Sequence, residues 1–195
     1  MPSLRRRCLR LLRGRLGWAR RRHCRRTARL AARLAPRYGV EAATAYLAGL
    51  AHDLGRELGE EELLRLAGLD GRPIADWEAA RPVLLHGRAA AALLAEAGGF
   101  PSGVREAVAD HVTGRPAMPP LARLVFVADF LEPGRRFVGA GERRRVASLP
   151  PNLQAAWVLE RVFDYLRREG LAVAPPARAM HEELCGNAAT QTQVG

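Results

Sequence analysis

The apolar run from Leu124 to Leu131 is interrupted once, by Asp129. No other feature limits the fold so tightly. An ionised carboxylate stranded in a core costs more than the ~5–15 kcal/mol by which a domain is stable, so it must be protonated, paired or bound to a metal. A second apolar run, Tyr46-Leu47-Ala48-Gly49-Leu50-Ala51, closes on the doublet His52-Asp53 and makes the same demand. The fold has to bring a cation to Asp53 and to Asp129.

Apolar residues elsewhere recur at helical spacing between Gly and Pro stops, and nothing alternates as a strand over more than a few residues. The spacing predicts a short basic helix over 3–13, a second helix over 18–35 ended by Pro36 and Gly39, and an alanine-rich third over 41–54 ended by Gly55. Glu60 to Ala67 is a short helix with acids in its first turn, where the helix dipole favours them. Pro82 opens a helix reaching Ala97, Ser102 caps one reaching Val112, and Pro119-Pro120 opens one ending at Pro133-Gly134. Pro150-Pro151 introduces a long amphipathic helix through Trp157, Val162 and Leu166. A Pro-rich loop after Gly170 leads to a short helix at 177–185, and residues 186–195 read as a polar, disordered tail. The fold class is all-α, one helical domain over 16–185 behind an arginine-rich extension at 1–15.

Imidazoles stand where the carboxylates need partners. His86 shares a stripe with Ala89, Ala90 and Leu93; His111 shares one with Val104, Ala107 and Val108; His23 shares one with Ala19, Thr27 and Leu30. Alone, each would read as a hydrogen-bonded core histidine. Together, His23, His52-Asp53, His86, His111 and Asp129 come from five helices, the way helical bundles build metal sites in their cores. Asp110 is expected to face water, and His181 is expected at the surface. Such a mixed nitrogen and oxygen set suits iron, manganese, cobalt or zinc better than calcium.

Charge is distributed unevenly. All 31 basic residues are arginine, and 14 of them fall in residues 1–40, which hold no acid; the other 17 face all 20 acids. A uniformly basic nucleic-acid coat is thereby excluded, while the first 40 residues could contact RNA or a ribosomal surface. No apolar stretch reaches the ~18–20 residues of a membrane span. Three cysteines without a CxxC pair make no disulfide framework, and with no secretory h-region the chain is expected in the cytoplasm. Trp77, Trp157 and Phe163 suit a core or an interface equally, which leaves the oligomeric state open.

The order His23, His52-Asp53, Asp129 resembles the HD-domain metal-dependent phosphohydrolases. The segments Pro82-Val83-Leu84-Leu85-His86-Gly87, His111-Val112-Thr113-Gly114-Arg115-Pro116 and Val125 to Arg135 narrow the resemblance to the YqeK family of HD-domain symmetrical bis(5′-nucleosyl)-tetraphosphatases, over roughly residues 16–178. Three departures stand out: Cys24 where the family favours Ser, Arg56 where it favours Lys, and Ala174-Pro175 where it tends to His-Pro.

The resemblance implies that His23, His52, Asp53 and Asp129 hold a metal ion, with iron favoured. His86 and His111 would either hold a second ion or point at phosphate oxygens and metal-bound water. A metal-bound hydroxide would cleave diadenosine tetraphosphate symmetrically to two ADP, with Asp53, His86 and His111 catalytic and Arg115, Arg135 and Arg56 as candidate phosphate ligands. An HD-domain nucleotidase or phosphodiesterase of other specificity is the alternative enzyme. An RNA- or ribosome-associated protein using the basic front is the alternative outside enzymology.

Overall fold

The computed structural model describes residues 3–191, with side chains to residue 186. Among the described residues there is no strand. The α-helices are α1 (Leu4–Arg15), α2 (Trp18–Leu34), α3 (Ala42–Ala51), α4 (Glu60–Ala67), α5 (Asp76–Ala79), α6 (His86–Ala97), α7 (Ser102–Asp110), α8 (Pro120–Leu131), α9 (Ala140–Ser148), α10 (Pro151–Arg168) and α11 (Pro175–Gln191). The all-α class holds, and most predicted boundaries fall within a few residues of the observed ones.

The differences have local causes. The third helix stops at Ala51, and His52 to Glu57 continue as turns. Pro82–Leu85 is a 3-10 turn that becomes α-helical at His86. Helix α9 was not anticipated, because Val146 is its only buried residue and an apolar stripe is absent. Helix α11 runs beyond the predicted stop at 185 to Gln191, since the polar residues after Gly186 do not themselves break a helix; residues 192–195 of the expected tail lie outside the described residues. Helix α1 is basic yet seated on the core through Cys8 and Leu12, both buried, with Leu16 following.

Small residues set how closely the helices cross. Among the described residues the α2–α3 contact is the most extensive. It rests on Gly49, where a Cβ would come within 3.0 Å of Ala28 Cα and 3.3 Å of Ala31 Cβ. Gly87 does the same between α6 and α7: a Cβ there would meet the carbonyl oxygens of Val108 and Ala109 at 2.8 Å. These two crossings bring His23 to the end of α3 and His86 to the end of α7.

Candidate metal centre

His23 projects from α2, His52 caps the C-terminus of α3 with Asp53 next in the turn, His86 opens α6, His111 caps α7, and Asp129 lies in the last turn of α8. Five of the six are at most 7% exposed; the Asp129 side chain, at 23%, is the open edge.

The six side chains converge in two halves. In one, His23 Nε2 lies 2.9 Å from Asp129 Oδ1 and 3.1 Å from His52 Nε2, and His52 Nε2 lies 3.5 Å from Asp129 Oδ1. In the other, His86 Nε2 lies 3.1 Å from His111 Nε2 and 3.2 Å from Asp53 Oδ1. Asp53 joins them: its Oδ2 is 3.5 Å from both His23 Nε2 and His52 Nε2, while its Oδ1 faces His86 and, at 3.9 Å, His111.

The outward nitrogens reveal what the inward ones are for. His52 Nδ1–H donates to Gly49 O (2.8 Å), His86 Nδ1–H to Val83 O (2.6 Å) and His111 Nδ1–H to Val108 O (2.7 Å). Each acceptor is the carbonyl three residues earlier, and a carbonyl cannot donate. His23 Nδ1–H donates to Glu132 Oε1 (3.1 Å). In its neutral form every ring therefore aims an Nε2 lone pair inward, and pairs of lone pairs face each other at 3.1 Å. A positive charge between them, a proton on one imidazole or a metal ion, makes that arrangement favourable. Histidines that ligate metals donate their other N–H to a carbonyl or carboxylate in just this way. Donor separations near 3 Å are also those of neighbouring ligands around an ion bound at about 2.1 Å. Two overlapping donor sets, His23/His52/Asp129 and His52/Asp53/His111, each lie within 4.8 Å. The residues fit a metal ion, and Asp53 would reach both donor halves with its two oxygens.

Charge is shared strongly across the cluster. Burial works against a charged His52, but Asp53 and Asp129 push it up to about 10. Burial also opposes ionisation of Asp53 and Asp129, yet the adjacent imidazoles, with Arg135 beside Asp129, hold both well below the usual carboxylate range. Burial, with charge on His52 and His86, drops His111 to about 3, which keeps its Nε2 lone pair free. Burial, then Asp53 and Asp129, pushes the Cys24 thiol far up, so it sits beside the cluster as a neutral group.

An outer ring holds these residues in place. Glu132, 1% exposed, accepts from His23, from both Arg26 donors and from Gly134 N–H (2.6 Å). Arg20 Nη1 lies 2.9 Å from Asp53 Oδ2, and Arg135 Nη2 lies 2.6 Å from Asp129 Oδ1. A 270 Å³ opening lined by Arg20, His23, Arg26, Glu132 and Arg135 leads to the cluster. Glu132, Arg20 and Arg26 escaped the sequence reading, although Glu132 stands three residues after Asp129 and Arg20 three before His23, the same-face spacing of a helix.

Not every candidate arrives at the centre. Arg115 is tied to Asp110 Oδ2 (2.7 Å) and Glu106 Oε1 (2.7 Å) and lines a separate cleft with Arg72 and Asp70. Arg56 joins the site only through its backbone N–H, which donates to Asp53 O (2.9 Å). Asp110 is buried, not solvated, because Arg115 and Arg72 neutralise it. His181 is half-buried against Phe163. Several front-end arginines serve the fold: Arg7 binds the Ala97 and Gly98 carbonyls, Arg37 the Ser148 carbonyl, Arg20 Asp53 and Arg26 Glu132. RNA or ribosome contact by residues 1–40 gains no support from this arrangement.

Residues 20–134, from Arg20 to the glycine after Glu132-Pro133, match the HD domain family. The chain belongs to the HD-domain family. The chain superposes on a crystal structure described as a predicted HD superfamily hydrolase involved in NAD metabolism from Clostridium acetobutylicum, with a TM-score of 0.88, 28% identity, and 96% of this chain and 99% of that one covered. It is also 29% identical to a symmetrical bis(5′-nucleosyl)-tetraphosphatase of Bacillus subtilis, over 73% of this chain and 76% of that protein. A Staphylococcus aureus protein of the same name is 32% identical over 64% of each chain. No helix of the HD domain is long and apolar enough to cross a membrane.

Proposed function

We propose that this HD domain is a metal-dependent phosphohydrolase that cleaves diadenosine tetraphosphate between its second and third phosphorus atoms, giving two ADP. The observation that carries the reading is the set of four inward Nε2 lone pairs and two carboxylates, each imidazole fixed by an outward Nδ1–H bond. The likeness to proteins named symmetrical tetraphosphatases supplies the substrate.

His23, His52, Asp53 and Asp129 would hold one ion, and His86 and His111 with Asp53 a second. Iron is the choice we favour, with manganese, cobalt or zinc compatible with the same donors. Such an ion supplies Lewis acidity toward a phosphoryl oxygen and toward water. The chain's own residues do the rest. Asp53 keeps the two halves at fixed separation, Glu132 fixes the His23 ring, and Arg135 at the open edge offers a planar fork to phosphate oxygens. Its contact with Asp129 holds that fork beside the reacting region. We place the reaction in the cytoplasm, where the free cysteines stay reduced.

The test is metal dependence. Protein stripped with a chelator should lose hydrolysis of diadenosine tetraphosphate and regain it with iron or manganese. Asp53→Ala should bind no stoichiometric metal and stay inactive in either state. Full metal content and normal turnover in Asp53→Ala would remove the assigned centre.

A further inference from the structure

Some arginines of the basic front are engaged within the chain, on Asp53, on Glu132 and on backbone carbonyls. Others are not. Among the described residues, the side chains of Arg6, Arg10, Arg13, Arg25, Arg29 and Arg33 form no ion pair or hydrogen bond. Arg22 lies only over Trp18, its guanidinium carbon 4.5 Å from the ring centre. These groups are ordered by the helices that carry them. Trp18, Arg22, Arg25, Arg29 and Arg33 follow one another every three or four residues, so they form one stripe along α2. At ~1.5 Å per residue the stripe runs about 22 Å. Arg6, Arg10 and Arg13 repeat the pattern on α1, where they flank a shallow groove with Leu9. Arg21 donates to Leu16 O (2.9 Å) and Arg13 O (3.4 Å), which fixes the end of α1 against the start of α2.

Guanidinium groups gathered without a carboxylate repel one another, and an anionic partner relieves that repulsion. Residues 1–40 hold no acid, while the other 17 arginines meet all 20 acids, so the molecule is electrically polar and presents this face to a negative surface. Trp18, at one end of the α2 stripe, is 63% exposed. Such a ring suits a lipid headgroup interface, where its apolar body and its N–H both find matching surroundings. Arginine is equally suited, laying its methylenes along apolar surface while its head stays among phosphates. Base stacking is the competing use of an exposed indole. Arg22 already covers one face of Trp18, however, and no second aromatic residue stands in the stripe.

We infer that the outer face of α1 and α2 docks on an anionic lipid bilayer, with the arginine stripe on the phosphodiester headgroups and Trp18 at the edge of the acyl region. Clusters of several arginines beside an interfacial aromatic ring have the chemistry that such a surface selects. The protein then lies on the membrane and does not cross it, in keeping with helices too short or too polar to span. Arg20, His23 and Arg26 leave α2 on another side and line the opening to the metal centre. Docking therefore leaves that opening clear of lipid, and lipid binding and metal binding are separable.

The experiment sediments the intact, metal-loaded protein with vesicles of phosphatidylcholine alone and of phosphatidylcholine mixed with phosphatidylglycerol. Only the mixed vesicles should carry the protein down and shift its tryptophan emission to the blue. Both effects should vanish as salt rises from about 0.1 M to about 1 M, which shortens the screening length from ~10 Å to ~3 Å. Trp18→Phe should abolish the blue shift, which assigns it to Trp18 and not to Trp77 or Trp157. Each arginine at such a surface is worth about fivefold in affinity, so the combined variant Arg22→Gln, Arg29→Gln, Arg33→Gln should bind about 100-fold more weakly. Arg22→Lys, Arg29→Lys, Arg33→Lys should keep most of the affinity. All three side chains are exposed and lie outside the metal centre, so Tm and metal content should match wild type in both variants. No sedimentation with the mixed vesicles, equal sedimentation with both kinds, or undiminished binding by the glutamine variant overturns the docking face. A stripe-dependent mobility shift of RNA without vesicle binding overturns it as well, in favour of a nucleic-acid partner.

Discussion

Replacing Glu132 with glutamine tests how far the metal centre depends on a residue that ligates nothing. Glu132 meets four donors: His23 Nδ1–H at 3.1 Å, Gly134 N–H at 2.6 Å, and Arg26 twice. Glutamine keeps the shape but swaps one acceptor oxygen for a donor. It must leave His23 without its acceptor or turn an NH₂ against Arg26 and Gly134. Losing an outer partner of a ligating histidine typically costs 10- to 100-fold in metal affinity, or about 1.4–2.7 kcal/mol. Stability falls as well. Burial opposes the Glu132 charge, but His23, Arg26 and Gly134 N–H hold its carboxyl at about 2 against an ordinary 4.5, which corresponds to about 3 kcal/mol at neutral pH. Because the folded value is the lower one, that stabilisation is complete above pH 4.5 and disappears as pH falls toward 2. Titration with manganese should show a 10- to 100-fold weaker Kd in Glu132→Gln. Urea unfolding at a series of pH values should show the stability gap to wild type narrowing as pH drops through that window. A manganese Kd within twofold of wild type would refute the reasoning about His23, and a pH-independent gap would refute the assignment of the charge.

Three further outcomes follow from the same geometry. Gly87→Ala pushes a methyl onto the Val108 and Ala109 carbonyls, and Val108 O is the acceptor that orients His111; overpacking should cost about 1–3 kcal/mol, lower Tm by roughly 2–12 °C, and weaken metal binding in calorimetry. Arg135→Ala should raise KM for diadenosine tetraphosphate about tenfold or more while metal content by elemental analysis stays at the wild-type level. With an aromatic disulfide reagent at pH 8, one thiol per native chain should react: Cys185 is exposed, whereas burial raises Cys8 to about 12 and Cys24 well above its usual range.

The clustering of these histidines and carboxylates was legible because burial of charge leaves a mark on a linear sequence. Asp129 in an apolar run and His52-Asp53 at the end of another could satisfy no packing role, and the helical stripes of His86 and His111 pointed inward. The outer ring was harder to see. Glu132 lies past the last apolar turn, where an acid normally meets water, and only the return of α2 with Arg26 makes it a buried acceptor. Arg115 follows the helix that carries His111, but Asp110 and Glu106 draw its side chain to another cleft. Helix α9 carries no stripe to reveal it.

The most direct measurement is anion-exchange separation of the products formed from diadenosine tetraphosphate by protein purified without chelator and supplied with iron or manganese. The account predicts two ADP and no other nucleotide. ATP with AMP would place the attack at a different phosphorus, and no turnover by metal-loaded protein would contradict the proposed activity outright.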